Sequence, residues 1–135
     1  MDYVHTDGGR ADAGFRGVTG DCVTRALSIA TGIPYGEMYR TLGELAKARG
    51  EKAPRNGVTR KVYEPYLRSQ GWVWVPAMKI GTGCKIHLRD GELPAGRLIV
   101  RLSGHLAAVI DGVVYDNHDP RREGTRCVYG YFRKP

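Results

Sequence analysis

The sequence predicts an α+β domain in which N-terminal helices pack on a C-terminal antiparallel β-sheet. Apolar residues recur at helical spacing in residues 21–32, 35–49 and 60–70, whereas residues 97–132 contain four short runs rich in β-branched and aromatic residues. Asp111-Gly112 separates two of these runs and is a preferred two-residue hairpin turn. Because helices come first and strands follow, we expect residues 1–135 to form one domain of this class.

The first helix is predicted to begin beside a cysteine, Cys22. Asp21 is the expected N-cap, since its carboxylate can accept the unpaired N–H groups of the first turn, and Thr19 is the alternative cap. Gly32 is placed to end the helix in a left-handed conformation. The apolar stripe that predicts the buried side consists of Val23, Ala26, Leu27 and Ala30.

The remaining elements follow from turn residues and apolar periodicity. Pro34 suits the first turn of the second helix, and Thr59 caps a third helix whose pattern Pro65 interrupts. Residues 72–75 predict a strand, and the C-terminal runs cover residues 97–102, 106–110, 113–116 and 126–132. We expect residues 1–18 to form an irregular lead-in, residues 50–57 an exposed loop and residues 77–96 turns. The predicted core contacts of the second and third helices are Met38, Leu42, Leu45, Ala46, Tyr63, Tyr66 and Leu67.

The charge balance favours an anionic partner without identifying one. The formal net charge is +7, which suits nucleic acid or an acidic peptide. The basic residues are scattered, however, and no nucleic-acid-binding motif is recognisable. Trp72 and Trp74 alternate on one strand and could stack single-stranded bases, but a shared strand face is more often core. We interpret the charge as modifying the function rather than defining it.

The sequence shows no recognisable signal for a membrane helix, a signal peptide, a disulfide framework or a metal site. No apolar run approaches the roughly 18 residues that a membrane helix needs, and residues 1–9 do not resemble a signal peptide, so we expect a cytoplasmic protein without membrane contact. Three widely spaced cysteines are expected to remain thiols in a reducing compartment. Cys84 and His87 have a tight pair spacing, but no second pair follows, so we expect neither a metal nor a cofactor.

Cys22 is the first candidate functional residue because of its place at a helix start. Unpaired N–H groups and the positive end of the helix dipole favour a thiolate over a thiol, and the same N–H groups can receive an oxyanion. A buried cysteine with no chemical role is the alternative interpretation, since free cysteines are often core residues. The remainder of the site decides between the two.

A histidine and a carboxylate are predicted to meet at the start of the C-terminal hairpin. If Asp111-Gly112 is a two-residue turn, Ile110 faces Val113, and His105 lies diagonally across from Asp116 on the same face. Asn117 would point to the other face unless a bulge shifts the register, so it stays the alternative partner of His105. A thiol, an imidazole and a carboxylate in this order have the logic of an activated nucleophile.

These residues resemble those of the papain-like cysteine peptidases. The segments 21–32, 104–116 and 128–131 are similar to short uncharacterised papain-like proteins of phages and bacteria. The resemblance implies a papain-like fold, a catalytic triad of Cys22, His105 and Asp116, and hydrolysis of a peptide, isopeptide or amide. The family usually carries a Gln or Asn shortly before the cysteine, and residues 15–20 contain neither. The oxyanion donors considered instead are the Cys22 backbone N–H and the side chains of Arg16 and Thr19.

A second function class uses the same fold without the chemistry. A papain-like domain with a weak or lost active site would be a basic binding module for nucleic acid or a host protein. Its binding would be salt-sensitive and would persist after replacement of Cys22. The activity of a hydrolase that acts on a peptide or protein substrate would instead be lost when Cys22 is replaced.

Overall fold

The structure is a computed structural model that describes residues 1–17, 19–51, 57–79 and 81–135. Its helices are α1 (Cys22–Thr31), α2 (Tyr35–Ala48) and α3 (Arg60–Ser69). Its strands are β1 (Asp2–His5), β2 (Val73–Pro76), β3 (Arg97–Leu102), β4 (His105–Ile110), β5 (Val113–Asp116) and β6 (Gly130–Arg133). The predicted α+β class is confirmed, with one sheet in the order β1-β5-β4-β3-β6-β2.

The sheet is mixed, so the prediction of a purely antiparallel sheet was wrong at one edge. Strand β1 runs parallel to β5 and pairs Asp2 with Val113 and His5 with Asp116. The first residues are therefore not an irregular lead-in. Only Tyr3 and Val4 are apolar in β1, which is too little alternation to mark a four-residue edge strand from sequence. This strand lines one side of β5 up to its last residue.

The C-terminal hairpin has the predicted turn and register. Asp111 and Gly112 both adopt positive φ, at 49° and 78°, as a tight two-residue hairpin turn requires. Ile110 pairs with Val113, and the same register continues to Ala108 and Tyr115. The last predicted strand is shorter than expected, because β6 starts at Gly130 and Cys127 forms only an isolated bridge with His87.

One face of the sheet carries the helices. Most predicted positions are buried, and the partly buried Tyr66 packs against the core as predicted, but Leu45 is 37% exposed, so its predicted place on the buried side was wrong. Trp72 is buried and Trp74 stacks on Phe132 with ring centroids 4.9 Å apart, as expected of core residues. The buried residues of this face are Val23, Ala26, Leu27, Ala30, Met38, Leu42, Ala46, Val62, Tyr63, Leu67, Trp72, Ile99, Leu106, Ala108 and Phe132.

The other face is covered by the segment that sequence patterning left least defined. Leu88 and, less deeply, Ile86 and Leu93 pack there against Val100 and Val109. Cys84 and Cys127 form a disulfide with a Cα–Cα distance of 5.9 Å, so the expectation of three thiols was wrong for these two. The two cysteines are 43 residues apart, so sequence spacing does not predict their contact. In the fold, the bridge between His87 and Cys127 brings their segments together. Among the described residues, no helix is long and apolar enough to cross a membrane.

Candidate active site

Three element ends meet at one end of the sheet. Cys22 is the first residue of α1, His105 the first of β4 and Asp116 the last of β5. Helix α1 packs chiefly on β4, because its stripe contacts Leu106 and Ala108. The hairpin register then sets Asp116 one diagonal step from His105. The fold thus brings together the three residues that sequence reasoning selected.

His105 and Asp116 form a short hydrogen bond. The imidazole Nε2 lies 2.6 Å from Asp116 Oδ2, and the carboxylate is 1% exposed. The backbone N–H of Asn117 donates to Asp116 Oδ1 at 2.8 Å. The Asn117 side chain is exposed and contacts His118 Nδ1 instead. The structure therefore brings Asp116 to His105 and leaves the alternative partner, Asn117, facing elsewhere.

The charges around Cys22 and His105 favour an ionised Cys22 thiol. Burial raises the pKa of the Cys22 thiol, but hydrogen bonds from the His105 ring and the Leu106 backbone N–H outweigh it and hold the pKa below its usual value. Burial lowers the pKa of His105, but the hydrogen bond to Asp116 and the contact with Cys22 raise it to about 9. Burial raises the pKa of Asp116, whereas His105 and Arg25 lower it, with a net decrease. A thiolate beside an imidazolium is the state that these shifts support.

A buried arginine, Arg25, binds the Asp116 carboxylate, and sequence reasoning missed it. Arg25 is 4% exposed; its Nε donates to Asp116 Oδ1 at 3.1 Å, and its Nη1 donates to Asp21 Oδ1 at 2.5 Å. Asp21 Oδ2 accepts from the Tyr35 hydroxyl at 2.8 Å, and Tyr35 accepts from Arg10 at 2.9 Å. The available signal was the i,i+4 spacing of Asp21 and Arg25 at a helix with no other charged residue, because such pairs meet on one helix face.

This network changes the role of Asp21. In the part of the chain that the structure describes, no side chain caps α1, because the Asp21 carboxylate is bound by Arg25 and Tyr35, so the predicted side-chain cap was wrong. Without a side-chain cap, the first N–H groups of α1 keep their donor capacity beside the Cys22 sulfur. The uncapped helix start is consistent with an oxyanion site at the Cys22 backbone N–H.

The two side chains considered as oxyanion donors lie elsewhere. Arg16 and Thr19 line a separate cleft that also contains Asp21 and Asn117, whereas Cys22 opens into a different one. The reason is a hydrogen bond from Arg10 to the Arg16 carbonyl at 3.1 Å, which holds this segment against Tyr35. Of the three candidates, only the backbone N–H of Cys22 adjoins the Cys22 thiol.

The cleft in front of Cys22 has a volume of about 420 Å³. His105 and Leu106 form one wall together with Cys22. Tyr63 of α3 and Arg101 of β3 also line it. Cys22 is therefore half-buried in a concave site.

His118 adds a third polar ring to the site. Its ring centroid lies 4.9 Å from that of His105, and the side chain is 56% exposed. Donor atoms of His105, Asp116 and His118 lie within 4.8 Å of one another, a spacing that can hold a metal ion. The same atoms of His105 and Asp116 bond each other, and Arg25 already balances the carboxylate. The arrangement fits an orienting carboxylate better than a metal ligand.

The chain matches no protein-family model, no curated protein and no solved structure. Membership of the papain-like superfamily thus stays a prediction.

Proposed function

We propose that this chain is a cysteine-dependent hydrolase of papain-like fold that acts as a peptidase, isopeptidase or amidase. Cys22 is the nucleophile, His105 the general base and acid, and Asp116 the residue that orients the imidazole. The observation that carries the proposal is the 2.6 Å hydrogen bond between Asp116 Oδ2 and the His105 ring, which lines one cleft with the thiol at the start of α1 and lowers its pKa. The depressed pKa of Cys22 and the open cleft in front of it support the same function.

The order of contacts assigns a role to each ring nitrogen. Nε2 of His105 is held by Asp116, so Nδ1 is the nitrogen left for the thiol. The Cys22 thiolate attacks the substrate carbonyl carbon, a C–S bond forms, and the negative charge moves to the carbonyl oxygen beside the N–H groups of the α1 start. The imidazolium gives its proton to the leaving amine as the C–N bond breaks. Water then gives a proton to His105 and attacks the thioester carbon; the C–S bond breaks, the acid is released, and Cys22 is again a thiolate beside the imidazolium.

Formation of the acyl-enzyme is the direct test. With p-nitrophenyl acetate, the wild-type chain should release a burst of close to one p-nitrophenolate per chain and carry an acetyl group on Cys22, as shown by mass spectrometry of its peptides. The Cys22→Ala variant should show neither, since Cys84 and Cys127 are joined to each other. A burst of equal size in Cys22→Ala would contradict the proposal. No burst in the wild type would favour the basic binding module.

A further inference from the structure

The cleft in front of Cys22 is one-sided in charge. Arg60, Arg101 and His105 line it, and no described residue of its lining carries a carboxylate. Backbone and apolar groups of Val58, Leu102 and Leu106 make up much of the remainder. A concave site with low-dielectric walls strengthens the attraction of such cations for an anion. The charge of the cleft therefore selects for negative groups on whatever binds beside the nucleophile.

The two arginines differ in how much charge they leave for a ligand. Arg60 donates to Glu64 at 3.0 Å, and its side chain is 56% exposed, so its charge is both paired and screened. Arg101 is half-buried on β3, and the described residues offer it no carboxylate within ion-pair distance. Its guanidinium instead lies 6.0 Å from the centroid of the Tyr129 ring. Among the described residues that line the cleft, Arg101 is the cation whose charge is left uncompensated.

Arg101 lies close to His105 in the sheet. It pairs with Leu106 of β4, the residue after His105, and both Arg101 and Leu106 line the cleft of Cys22. The Arg101 charge also acts on the Tyr63 hydroxyl on α3: burial raises the pKa of Tyr63, and Arg101 opposes this rise. The Arg101 charge thus acts within the cleft that Cys22, His105 and Tyr63 line.

We propose that Arg101 selects substrates that carry a carboxylate next to the scissile bond. The proposal rests on the proposed hydrolase function, since it names the substrate class of that site. A guanidinium binds a carboxylate through two parallel N–H donors, which gives direction as well as affinity. In a peptide, the carboxylate comes from an acidic side chain or from a free C-terminus, and the cleft chemistry is the same for both.

Three chloroacetyl reagents separate these sources and test the role of Arg101. N-chloroacetyl-glutamine amide is neutral, N-chloroacetyl-glutamate amide has a side-chain carboxylate, and free N-chloroacetyl-glutamine has a terminal carboxylate. In each case the Cys22 thiolate displaces chloride and forms a C–S bond, and mass spectrometry gives the alkylation rate. The readout is the ratio of the rate with each anionic reagent to the rate with the neutral one.

In the wild type, at least one of the two rate ratios should exceed the same ratio measured with free cysteine. In Arg101→Gln, that ratio should fall about tenfold, which is the usual effect of losing a hydrogen bond to a charged group. Arg101→Lys should retain part of the ratio because it keeps the charge. Arg133→Gln removes the same charge from an exposed site on β6 outside the cleft and should leave the ratio unchanged. The reagent that shows the higher ratio identifies the source of the carboxylate.

Equal ratios in the wild type and Arg101→Gln would overturn the role of Arg101. Failure of the hydrolase proposal has a different signature. The neutral reagent would then label Cys22 at pH 6 no faster than it labels free cysteine, whatever the ratios are.

Discussion

Replacement of Arg25 by methionine is expected to lower the free energy of unfolding by about 3–5 kcal/mol, because it leaves buried carboxylates without their counter-ion. The Arg25 guanidinium bonds both Asp21 and Asp116, and all three side chains are at most 5% exposed. Methionine keeps much of the volume and the helix propensity of arginine, so the change reports on the charge. Urea denaturation followed by circular dichroism measures the difference.

Arg68 provides the matched control on α3. It forms an i,i+4 pair with Glu64, as Arg25 does with Asp21, but its side chain is 60% exposed and the pair is 3.7 Å long. Arg68→Met should therefore cost less than about 1 kcal/mol. Equal losses in the two variants would show that the buried network does not hold the site together.

Replacement of His105 by alanine is expected to slow acylation of Cys22 by p-nitrophenyl acetate by about 10²–10⁴-fold at pH 7. The variant loses the hydrogen bond that lowers the pKa of the thiol and also the group that moves the proton. The rate of the p-nitrophenolate burst gives the size of the effect.

His87→Ala is the control for this prediction. His87 contacts Glu92 at 3.2 Å in the segment that covers the other face of the sheet, away from the cleft of Cys22. It should leave the acylation rate unchanged. If His105→Ala acylates as fast as His87→Ala, the imidazole does not activate the thiol.

Local rules were sufficient for the parts of the site that depend on one helix and one hairpin. The stripe of α1 placed Cys22 at a helix start, and Asp111-Gly112 set the register that puts His105 beside Asp116. Both features come from spacing within about 15 residues, where periodicity and turn chemistry are strong signals.

The features that sequence reasoning missed depend on distant pairing. Strand β1 has little apolar alternation and is held by β5, more than 100 residues later. The disulfide of Cys84 and Cys127 depends on the packing of a long irregular segment. Arg25 looked like one of many scattered cations, because burial of an arginine follows from two carboxylates that only the fold brings to it.

The most direct test of the active-site assignment is the pH dependence of iodoacetamide alkylation, measured without reductant so that the disulfide leaves Cys22 as the one reactive thiol. The lowered pKa of Cys22 and the His105 pKa of about 9 predict that the alkylation rate begins to rise at a lower pH than for an ordinary thiol, because thiolate and imidazolium coexist between the two pKa values. In His105→Ala, the rate should instead rise with the pKa of an ordinary thiol, about 8.5. A wild-type profile that rises only around that ordinary value would contradict the assignment of Cys22 and His105 as a catalytic pair.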